Sequence, residues 1–313
     1  MALEESNIRS VGDAVNVSAP TEDRNPASVH IDTLPTLEVL ELLNAEDATV
    51  PTAVGAVLPD LARLVDDAVA RIRAGGAVHY YGAGTSGRLA VLDAAELLPT
   101  FNAPVGLFTA HHAGGAEALL AAVEDVEDDV EAGRQEAQVL GADDVAIGLT
   151  ASGRTPYVRG ALDVARQRGA LTALVTAHAE SEIGALVDHV IAPATGPEVV
   201  TGSTRLKAGT AQKLVLNAFS TSVMIALGRT WSNLMVDVVA TNAKLRGRVV
   251  RILREATGVD EESAQEALAQ AGGELKTALL HLLTDIPAAE ARALLDSHGG
   301  SVAAALGAIV PPR

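Results

Sequence analysis

The sequence predicts an α/β fold, a doubly wound parallel sheet flanked by helices and followed by a small all-helical module. Three observations support this prediction. Between residues 77 and 192, short apolar runs alternate with longer amphipathic segments, the pattern of strands and helices in a parallel sheet. Two of these runs end in loops rich in glycine and hydroxyl residues. After Gly258, short amphipathic segments separated by glycines and a proline replace the strand pattern.

Composition limits the classes of function that fit this chain. Its 313 residues with 48% hydrophobic content are enough for one large domain and a smaller appendage. A formal net charge of −17 repels nucleic acids and anionic membranes, so we expect neither as a partner. Without cysteine the chain has no disulfide and no thiolate metal site. The polar, acidic N-terminus is unlike a signal peptide, and we expect a cytoplasmic protein.

The first 73 residues are predicted to form an arm and two helices. Residues 1–35 have no sustained periodicity and contain three prolines, which indicates an arm laid over the domain. Thr36 is a suitable N-cap for a helix through Asn44. Apolar residues at three- and four-residue spacing predict a longer helix over 52–73. We assign residues 1–50 to an N-terminal arm and helix.

The alternating region is predicted to contain five strands with helices between them. The predicted strands are 77–81, 104–109, 145–150, 171–176 and 188–192. The helices between them begin near residue 86 and cover 115–126, 156–168 and 181–186. Two long helices, 203–226 and 234–255, complete a main domain over 51–255. Their apolar surface exceeds what one sheet needs as cover, so we expect a homodimer. Residues 256–313 are predicted to form three short helices.

Two loops at strand ends are predicted to hold one phosphate group. A helix N-terminus binds anions through free N–H groups and its dipole, without an excess of basic residues. In a parallel sheet, ligands bind at the carboxyl ends of the strands where strand order reverses, and both loops follow strands. The first loop lacks the P-loop lysine and the GxGxxG spacing. The predicted phosphate ligands are Gly84, Thr85, Ser86, Gly87, Arg88, Ser152, Gly153, Arg154 and Thr155.

Structural roles remain open for these residues. Serine and threonine are also the usual N-cap residues, so Ser86, Ser152 and Thr155 could serve only as caps. Arg88 and Arg154 could equally pair with surface acids. The neighbouring His111 and His112 would point to different sides of a strand, so we predict no metal site. Motifs for flavin, pyridoxal or dinucleotide cofactors are also lacking, and we predict no organic cofactor.

Six segments of the chain carry a resemblance to a known family. They are TEDRNPAS (21–28), LLNAEDATVPTAV (42–54), GAGTSGRLAVLDAAE (82–96), ASGRTPYV (151–158), EVVTGSTRLKAGTAQKLVLN (198–217) and NLMVDVVATN (233–242). With them the chain resembles the N-acetylmuramic acid 6-phosphate etherases, which have the sugar isomerase (SIS) fold. The resemblance covers nearly the whole chain. It implies a SIS domain over 51–255, a module over 256–313 similar to ubiquitin-associated domains, and a phosphorylated amino-sugar substrate.

The implied reaction needs an acid and a base. Loss of lactate from C3 of a muramic sugar requires removal of the C2 hydrogen, which is acidic only when the ring opens and C1 is an aldehyde. Carboxyl groups tuned by burial can serve in both roles. The resemblance assigns Glu96, a charged residue in an apolar run, as the acid at the ether oxygen, and Glu127 as the base at C2. From the residues alone, Glu127 is not distinguishable from Glu124, and such acidic runs usually face solvent.

Further expectations concern the surroundings of Glu96. The family continues this motif with E-C-P-P, whereas this chain has Glu96-Leu97-Leu98-Pro99, a difference that alters the following loop. Ten residues separate Ser86 from Glu96, about 15 Å along an unbroken helix, which a hexose cannot span. Either the helix is interrupted or Glu96 comes from the other subunit, and we favour the second. The most family-specific segment supplies further candidate sugar contacts: Glu198, Ser203, Arg205 and Lys207.

Two other functions fit the sequence patterns. A sugar-phosphate isomerase would share the phosphate loops and the C2 base but need no acid for a leaving group. A regulator that only binds sugar phosphates would need neither glutamate. A DNA-binding regulator would carry a basic helix-turn-helix segment, and no such run occurs in this chain. Release of lactate separates the etherase from both alternatives.

Overall fold

The computed structural model describes residues 19–121, 123–238 and 243–309, and residues 1–18 of the predicted arm lie outside them. Short 3₁₀ turns begin at Pro20 and lead to helix α1 (Thr36–Asp47). The residue flanking this helix is Pro35, so Thr36 is its first residue and not its N-cap. The predicted helix over 52–73 is two helices, α2 (Val50–Ala56) and α3 (Leu58–Arg73). The two helices separate because Pro59 has no N–H group to donate to a carbonyl of α2 and continue its hydrogen bonds.

Five parallel strands form the sheet in the described residues, which confirms the predicted fold class. They are β1 (Val78–Gly82), β2 (Phe108–His112), β3 (Val145–Leu149), β4 (Leu171–Val175) and β5 (His189–Ile191). Their order is β2-β1-β3-β4-β5, so the direction of winding reverses between β1 and β3. β2 begins later than predicted because a turn closes from the Leu107 N–H to the Pro104 carbonyl. At the reversal, Gly82 pairs with Leu149.

Helices cover both faces of the sheet. They are α4 (Gly84–Phe101), α5 (Gly115–Leu120), α6 (Val130–Glu136), α7 (Pro156–Gln167) and α8 (Lys207–Ala226). One core lies between the sheet and α3, α4 and α8, and another lies under α6 and α7. The predicted helix over 115–126 ends at Leu120, the α6 helix was not predicted, and the segment 181–186 contains only a 3₁₀ turn, Gly184–Leu186. α8 begins at Lys207, four residues later than predicted.

The chain after α8 has its own hydrophobic core. A hairpin of β6 (Thr230–Trp231) and β7 (Leu234–Met235) precedes α9 (Ala243–Thr257), so the prediction of a helix from residue 234 is wrong. Ser232, with φ of 52°, makes the turn between the two strands. The described residues contain four later helices instead of three: α10 (Glu261–Gln270), α11 (Leu275–Thr284), α12 (Ala288–Ser297) and α13 (Val302–Ile309). This core extends from Val236 to Ala305, and it therefore includes α9 as well as the module predicted over 256–313.

The described helices differ in length and hydropathy. Among them no single helix has both the length and the apolar character to cross a membrane. One bent pair, Thr36–Ala56 with Leu58–Arg73, meets the length and composition criteria when taken together.

Candidate active site

The first predicted phosphate loop joins β1 to α4. Gly84 has φ of 53° and begins the helix, whose first N–H groups have no partner within the helix. A Cβ on Gly87 would lie 2.5 Å from the Gly82 carbonyl oxygen and 2.7 Å from Cδ2 of His112. Only glycine at this position lets α4 begin so close to the strand. The dipole of α4 therefore has its positive end at the edge of the sheet where β1 stops.

Helix α8 forms one wall of this loop. The Ser86 hydroxyl donates to Oε1 of Gln212 at 2.8 Å, and both side chains are buried. A Cβ on Gly209 would lie 3.5 Å from Cγ2 of Thr85, which is ordinary van der Waals contact. The first loop is thus in contact with a helix that lies more than 120 residues later in the chain. Gln212 lies within one of the resemblance segments, but the sequence analysis did not single it out.

The second predicted loop joins β3 to α7 and is organised by its own hydroxyl groups. Oγ1 of buried Thr150 lies 2.7 Å from Oγ1 of Thr155 and 3.3 Å from Oγ of Ser152. The Arg154 N–H donates to Oγ of Ser152 at 3.3 Å. Gly153 has φ of 71°, and a Cβ there would lie 2.2 Å from Cβ of Ser181. The sequence analysis missed Thr150, the residue that joins the other two hydroxyl groups.

The sheet brings the two loops together. They follow β1 and β3, which are neighbours and pair through Gly82 and Leu149 at their carboxyl ends. Ser86 therefore lies on one side of the crevice at the strand reversal, and Ser152 and Thr155 lie on the other. Pro156, the first residue of α7, has no N–H group. The other N–H groups of the first turn lie at this end of the sheet. This arrangement can bind a small anion with hydroxyl and amide donors.

The sequence interpretations of Arg88 were a phosphate ligand and a partner of surface acids. Its contacts in the structure are with neither. Its guanidinium donates to the carbonyl oxygens of Ala118 at 2.6 Å, Leu119 at 3.0 Å and Ala121 at 3.1 Å. These carbonyls end α5, and an arginine at this place satisfies acceptors that the helix leaves unpaired. Arg88 thus binds the C-terminal end of α5 and ties it to the N-terminal part of α4.

Glu127 lies in the segment that follows this contact. It is exposed, in the 3₁₀ turn Val126–Asp128. The neighbouring Val126 packs against Gly114, where a Cβ would lie 3.1 Å from Cγ1 of the valine. Gly114 is two residues beyond the end of β2, so the turn lies at the same end of the sheet as the phosphate loops. The structure thus places this turn, with the Glu127 side chain exposed, at the end of the sheet where the strands stop.

Glu96 does not meet the phosphate loops of its own chain. Helix α4 runs unbroken from Gly84 to Phe101, which removes the alternative of an interrupted helix. Ser86 and Glu96 are therefore about 15 Å apart along the helix axis. Glu96 is exposed and lines a cleft of about 360 Å³ between α4 and α8, together with Asp93, Lys213 and Asn217.

Asp93 is a buried acid that the sequence analysis missed. It accepts hydrogen bonds from the Tyr80 hydroxyl and the Ser220 hydroxyl, each at 2.9 Å. Burial raises the pKa of the Asp93 carboxyl to about 6, although both hydroxyl groups and Lys213 act in the opposite direction. Burial, with Asp93 beside it, also raises the pKa of Tyr80. Asp93 joins the middle of α4 to the middle of α8 and lies one helical turn before Glu96.

Glu198 and Lys207 fix the beginning of α8. The fully buried Glu198 carboxylate accepts from the N–H groups of Lys207 and Ala208, both at 2.9 Å. Nζ of Lys207 lies 2.6 Å from Oε2 of Glu46, which also accepts from Asn25 at 2.8 Å. The hydrogen bond from Lys207 lowers the pKa of the Glu46 carboxyl, although burial raises it.

These contacts account for the late start of α8, because the Glu198 cap fixes the first helical N–H groups at Lys207 and Ala208. Of the other two candidate sugar contacts, Ser203 is half-buried and Arg205 is exposed, both in the turns before the helix. The structure thus places Glu198 and Lys207 in a buried network and not at the surface of the crevice.

A second cleft, of about 550 Å³, lies between the hairpin and the C-terminal helices. Its central acid, Asp237, pairs with Arg229 at 3.1 Å and with Lys276 at 2.7 Å. Burial lowers the pKa of Lys276, against the effect of Asp237. The charges in this cleft neutralise one another, whereas the first N–H groups of α4 and α7 at the two loops have no partner within their helices. The loops are therefore the better candidate for an anionic substrate.

Comparison with known proteins gave consistent matches. The model of the glucokinase regulatory protein N-terminal SIS domain matches residues 60–166, and the SIS domain model matches residues 117–222. An N-acetylmuramic acid 6-phosphate etherase of Thermobifida fusca (strain YX) is 62% identical over 268 residues, which cover 86% of this chain and 88% of the relative. The etherase of Serratia proteamaculans (strain 568) is 51% identical over 288 residues, covering 91% and 97%. A phosphoheptose isomerase structure from Francisella tularensis, 14% identical, matches with a TM-score of 0.48 over 61% of this chain and 100% of that one.

Proposed function

The chain belongs to the N-acetylmuramic acid 6-phosphate etherases, enzymes with the SIS fold, and we propose that it removes the D-lactyl ether of N-acetylmuramic acid 6-phosphate. The products are N-acetylglucosamine 6-phosphate and D-lactate, as in the recycling of cell-wall sugars. The observation that carries this proposal is the pair of hydroxyl-bearing loops at the strand reversal. In an acidic chain, they are the feature suited to a phosphate.

The phosphate determines how the sugar lies in the site. Ser86, Ser152 and Thr155, with the amides that begin α4 and α7, hold the 6-phosphate. The sugar then extends outward from the carboxyl ends of β1 and β3. Binding energy from the phosphate, which does not react, positions C2 and C3 against the acid and the base.

The reaction proceeds by elimination and addition. With the ring open, the base removes the proton from C2, and the electron pair moves to the C1 aldehyde as an enolate. The enolate returns its electrons to form the C2–C3 double bond as the C3–O bond breaks, and the acid protonates the departing lactate oxygen. Water then adds to C3 and a proton returns to C2. Glu96 is the proposed acid and later activates water, while Glu127 is the proposed base.

The distance within α4 supports a site shared between two subunits. Because α4 is unbroken, Glu96 is about 15 Å from Ser86 of the same chain. In a homodimer, Glu96 of one subunit reaches the sugar held by the loops of the other. Exposed leucines beside it, Leu92 and Leu98, fit burial against a second copy. We therefore propose a cytoplasmic homodimer with two shared sites.

A lactate assay tests the proposed reaction. The purified protein is mixed with N-acetylmuramic acid 6-phosphate, and D-lactate is measured over time beside the unphosphorylated sugar. We expect release only from the 6-phosphate. Equal turnover of both sugars would contradict the role of the loops, and no release from either would contradict the etherase activity.

Exchange of the C2 hydrogen in deuterated water separates the two glutamates. Glu96→Gln is expected to stop lactate release and retain exchange, whereas Glu127→Gln is expected to suppress both. The opposite pattern would reverse the roles. For the shared site, inactive Glu96→Gln and inactive Ser86→Ala subunits are mixed; activity in the mixed dimers supports sharing, and its absence rules sharing out.

A further inference from the structure

Gln212 presents an unpaired donor group beside the first phosphate loop. Its side chain is only 3% exposed. Oε1 accepts the Ser86 hydroxyl at 2.8 Å, and Nε2 has no hydrogen-bond partner among the described residues. A carboxamide nitrogen carries two N–H donors, and buried donors are nearly always paired. Gln212 Nε2 is one of six buried side-chain atoms without a partner in the described residues, and it lies next to the residue that we propose binds the phosphate.

The amide cannot withdraw from the loop. Glu198 caps the N–H groups at the start of α8, and Gly209, one turn before Gln212, lies so close to Thr85 that an added Cβ would touch its Cγ2. Gln212 is therefore held at the loop by the same contacts that fix α8. Its unpaired nitrogen therefore lies beside the proposed phosphate site, on a buried side chain and not on a surface one.

The hydrogen of Ser86 determines what the loop can bind. A serine hydroxyl has one hydrogen to donate, and here it is donated to Gln212. The remaining lone pairs would face phosphate oxygens, which also only accept at neutral pH. If the carboxamide group rotates so that its oxygen and nitrogen exchange places, Nε2 donates to Oγ of Ser86. The serine hydrogen is then available to the phosphate. A carboxamide can make both arrangements, whereas a carboxylate can only accept and a thioether can only accept weakly.

We propose that Gln212 is a positioning residue for the 6-phosphate. When the phosphate binds, the Gln212 carboxamide rotates and its nitrogen donates to Ser86, and Ser86 donates to a phosphate oxygen. The inference rests on the proposed function because it takes a sugar phosphate as the ligand. It adds to that function a residue on α8 that acts through Ser86 and sets the preference for a phosphorylated sugar.

Calorimetric titration with N-acetylglucosamine 6-phosphate tests this without turnover. We expect Gln212→Met to weaken binding about tenfold, since a charge-assisted hydrogen bond is lost. In the Ser86→Ala background the same change is expected to add nothing, because the two residues act as a unit. Gln167→Met, at an exposed position of α7, is the matched control and is expected to bind as the wild type does.

The outcomes separate the two proposals. If Gln212→Met binds the sugar phosphate as tightly as wild type does, the role of Gln212 is overturned and the proposed function is not. The same holds if the losses of affinity in the two single variants add in the double variant. Wild type that binds no sugar phosphate would overturn the proposed function and this inference with it. Thermal unfolding identifies a purely structural role, which would lower stability in Gln212→Met without changing affinity. Should that variant fail to fold, Gln212→Glu keeps the shape, and we expect it to weaken binding more than tenfold against Gln167→Glu.

Discussion

The two loops that we propose bind the phosphate have similar compositions but are held in different ways. Ser86 of the first loop takes its partner from α8, 126 residues away in sequence. In the second loop, Thr150, Ser152 and Thr155 take one another as partners within six residues. The first loop therefore depends on the packing of two long helices, whereas the hydroxyl cluster of the second depends on local hydrogen bonds. The backbone of the second loop is held from the segment after β4, where the Ala177 and Ile183 N–H groups donate to the carbonyls of Ala151 and Gly153. Changes in α8 should disturb the first loop and leave the hydroxyl cluster of the second intact.

Gly87→Ala is expected to have the largest effect, because it breaks the first loop directly. The new Cβ would lie 2.5 Å from a carbonyl oxygen, and backbone cannot move aside as a flexible side chain does. We expect a loss of about 3 kcal/mol in the free energy of unfolding, measured with urea, and loss of sugar-phosphate binding. Gly55→Ala, on α2 with open space around it, is the control and should be neutral or slightly stabilising. A stable, binding-competent Gly87→Ala would show that the close approach of α4 to β1 is unnecessary.

Glu198→Gln tests whether the first loop depends on the start of α8. The amide replaces one acceptor oxygen with an NH₂ group that faces a backbone N–H, and we expect a loss of about 2 kcal/mol in unfolding free energy. Binding of sugar phosphate should weaken as Gln212 moves away from Ser86. Glu41→Gln, an exposed change on α1, controls for the lost charge. Unchanged affinity in a destabilised Glu198→Gln would mean that the loop keeps its position without the cap.

The pH dependence of stability tests the link between α4 and α8, because Asp93 joins the two helices. Its pKa is about 6 in the folded protein against 3.8 for the free group, so the folded state holds the proton more tightly. The resulting stability is present below the unfolded pKa and is lost as pH rises through 6. Between pH 5 and pH 8, we expect Asp93→Asn to gain about 1.4 kcal/mol relative to wild type. Urea unfolding of both proteins at the two pH values measures this difference, and a constant difference would refute the raised pKa.

Thr150→Val is expected to have the smallest effect, confined to the second loop. The substitution keeps the shape of the side chain and removes the hydroxyl that joins Ser152 to Thr155. We expect a loss of about 1 kcal/mol in unfolding free energy and a severalfold weaker affinity for sugar phosphate. The exposed Thr201→Val is the matched control. If binding is unaffected, the hydroxyl cluster serves only to cap α7.

Local patterns were sufficient to predict the sheet and both loops. The alternation of apolar runs placed all five strands within a few residues, because the strands are wholly or partly buried apolar runs between more polar segments. The two loops were predicted for the same reason: their glycine and hydroxyl residues are consecutive. The hairpin before α9 was mistaken for helix, because Leu234 and Met235 fit a helical spacing and the turn at Ser232 lies outside the apolar pattern.

Local sequence patterns could not predict hydrogen bonds between residues that are distant in the sequence. Gln212 and Asp93 lie within helices, and the side chains they bond, Ser86 and Ser220, are 126 and 127 residues away. Periodicity identifies which side of a helix is apolar, but it does not pair one polar side chain with another. Glu198 illustrates the same limit: its family-specific segment drew attention to it, but only the structure reveals that its carboxylate caps α8.

The ion pair between Glu46 and Lys207 has a consequence for the order in which the protein matures during synthesis. These residues are 161 positions apart, and Asn25, which shares the same carboxylate, also reaches the carbonyl of Pro197. At about 5–20 residues per second, a ribosome needs roughly 10 to 30 s after Glu46 to produce Lys207. Until Lys207 is made, the Glu46 carboxylate lacks the lysine with which it pairs in the folded protein. The arm and the first phosphate loop are therefore completed together, late in translation, when α8 emerges and joins both.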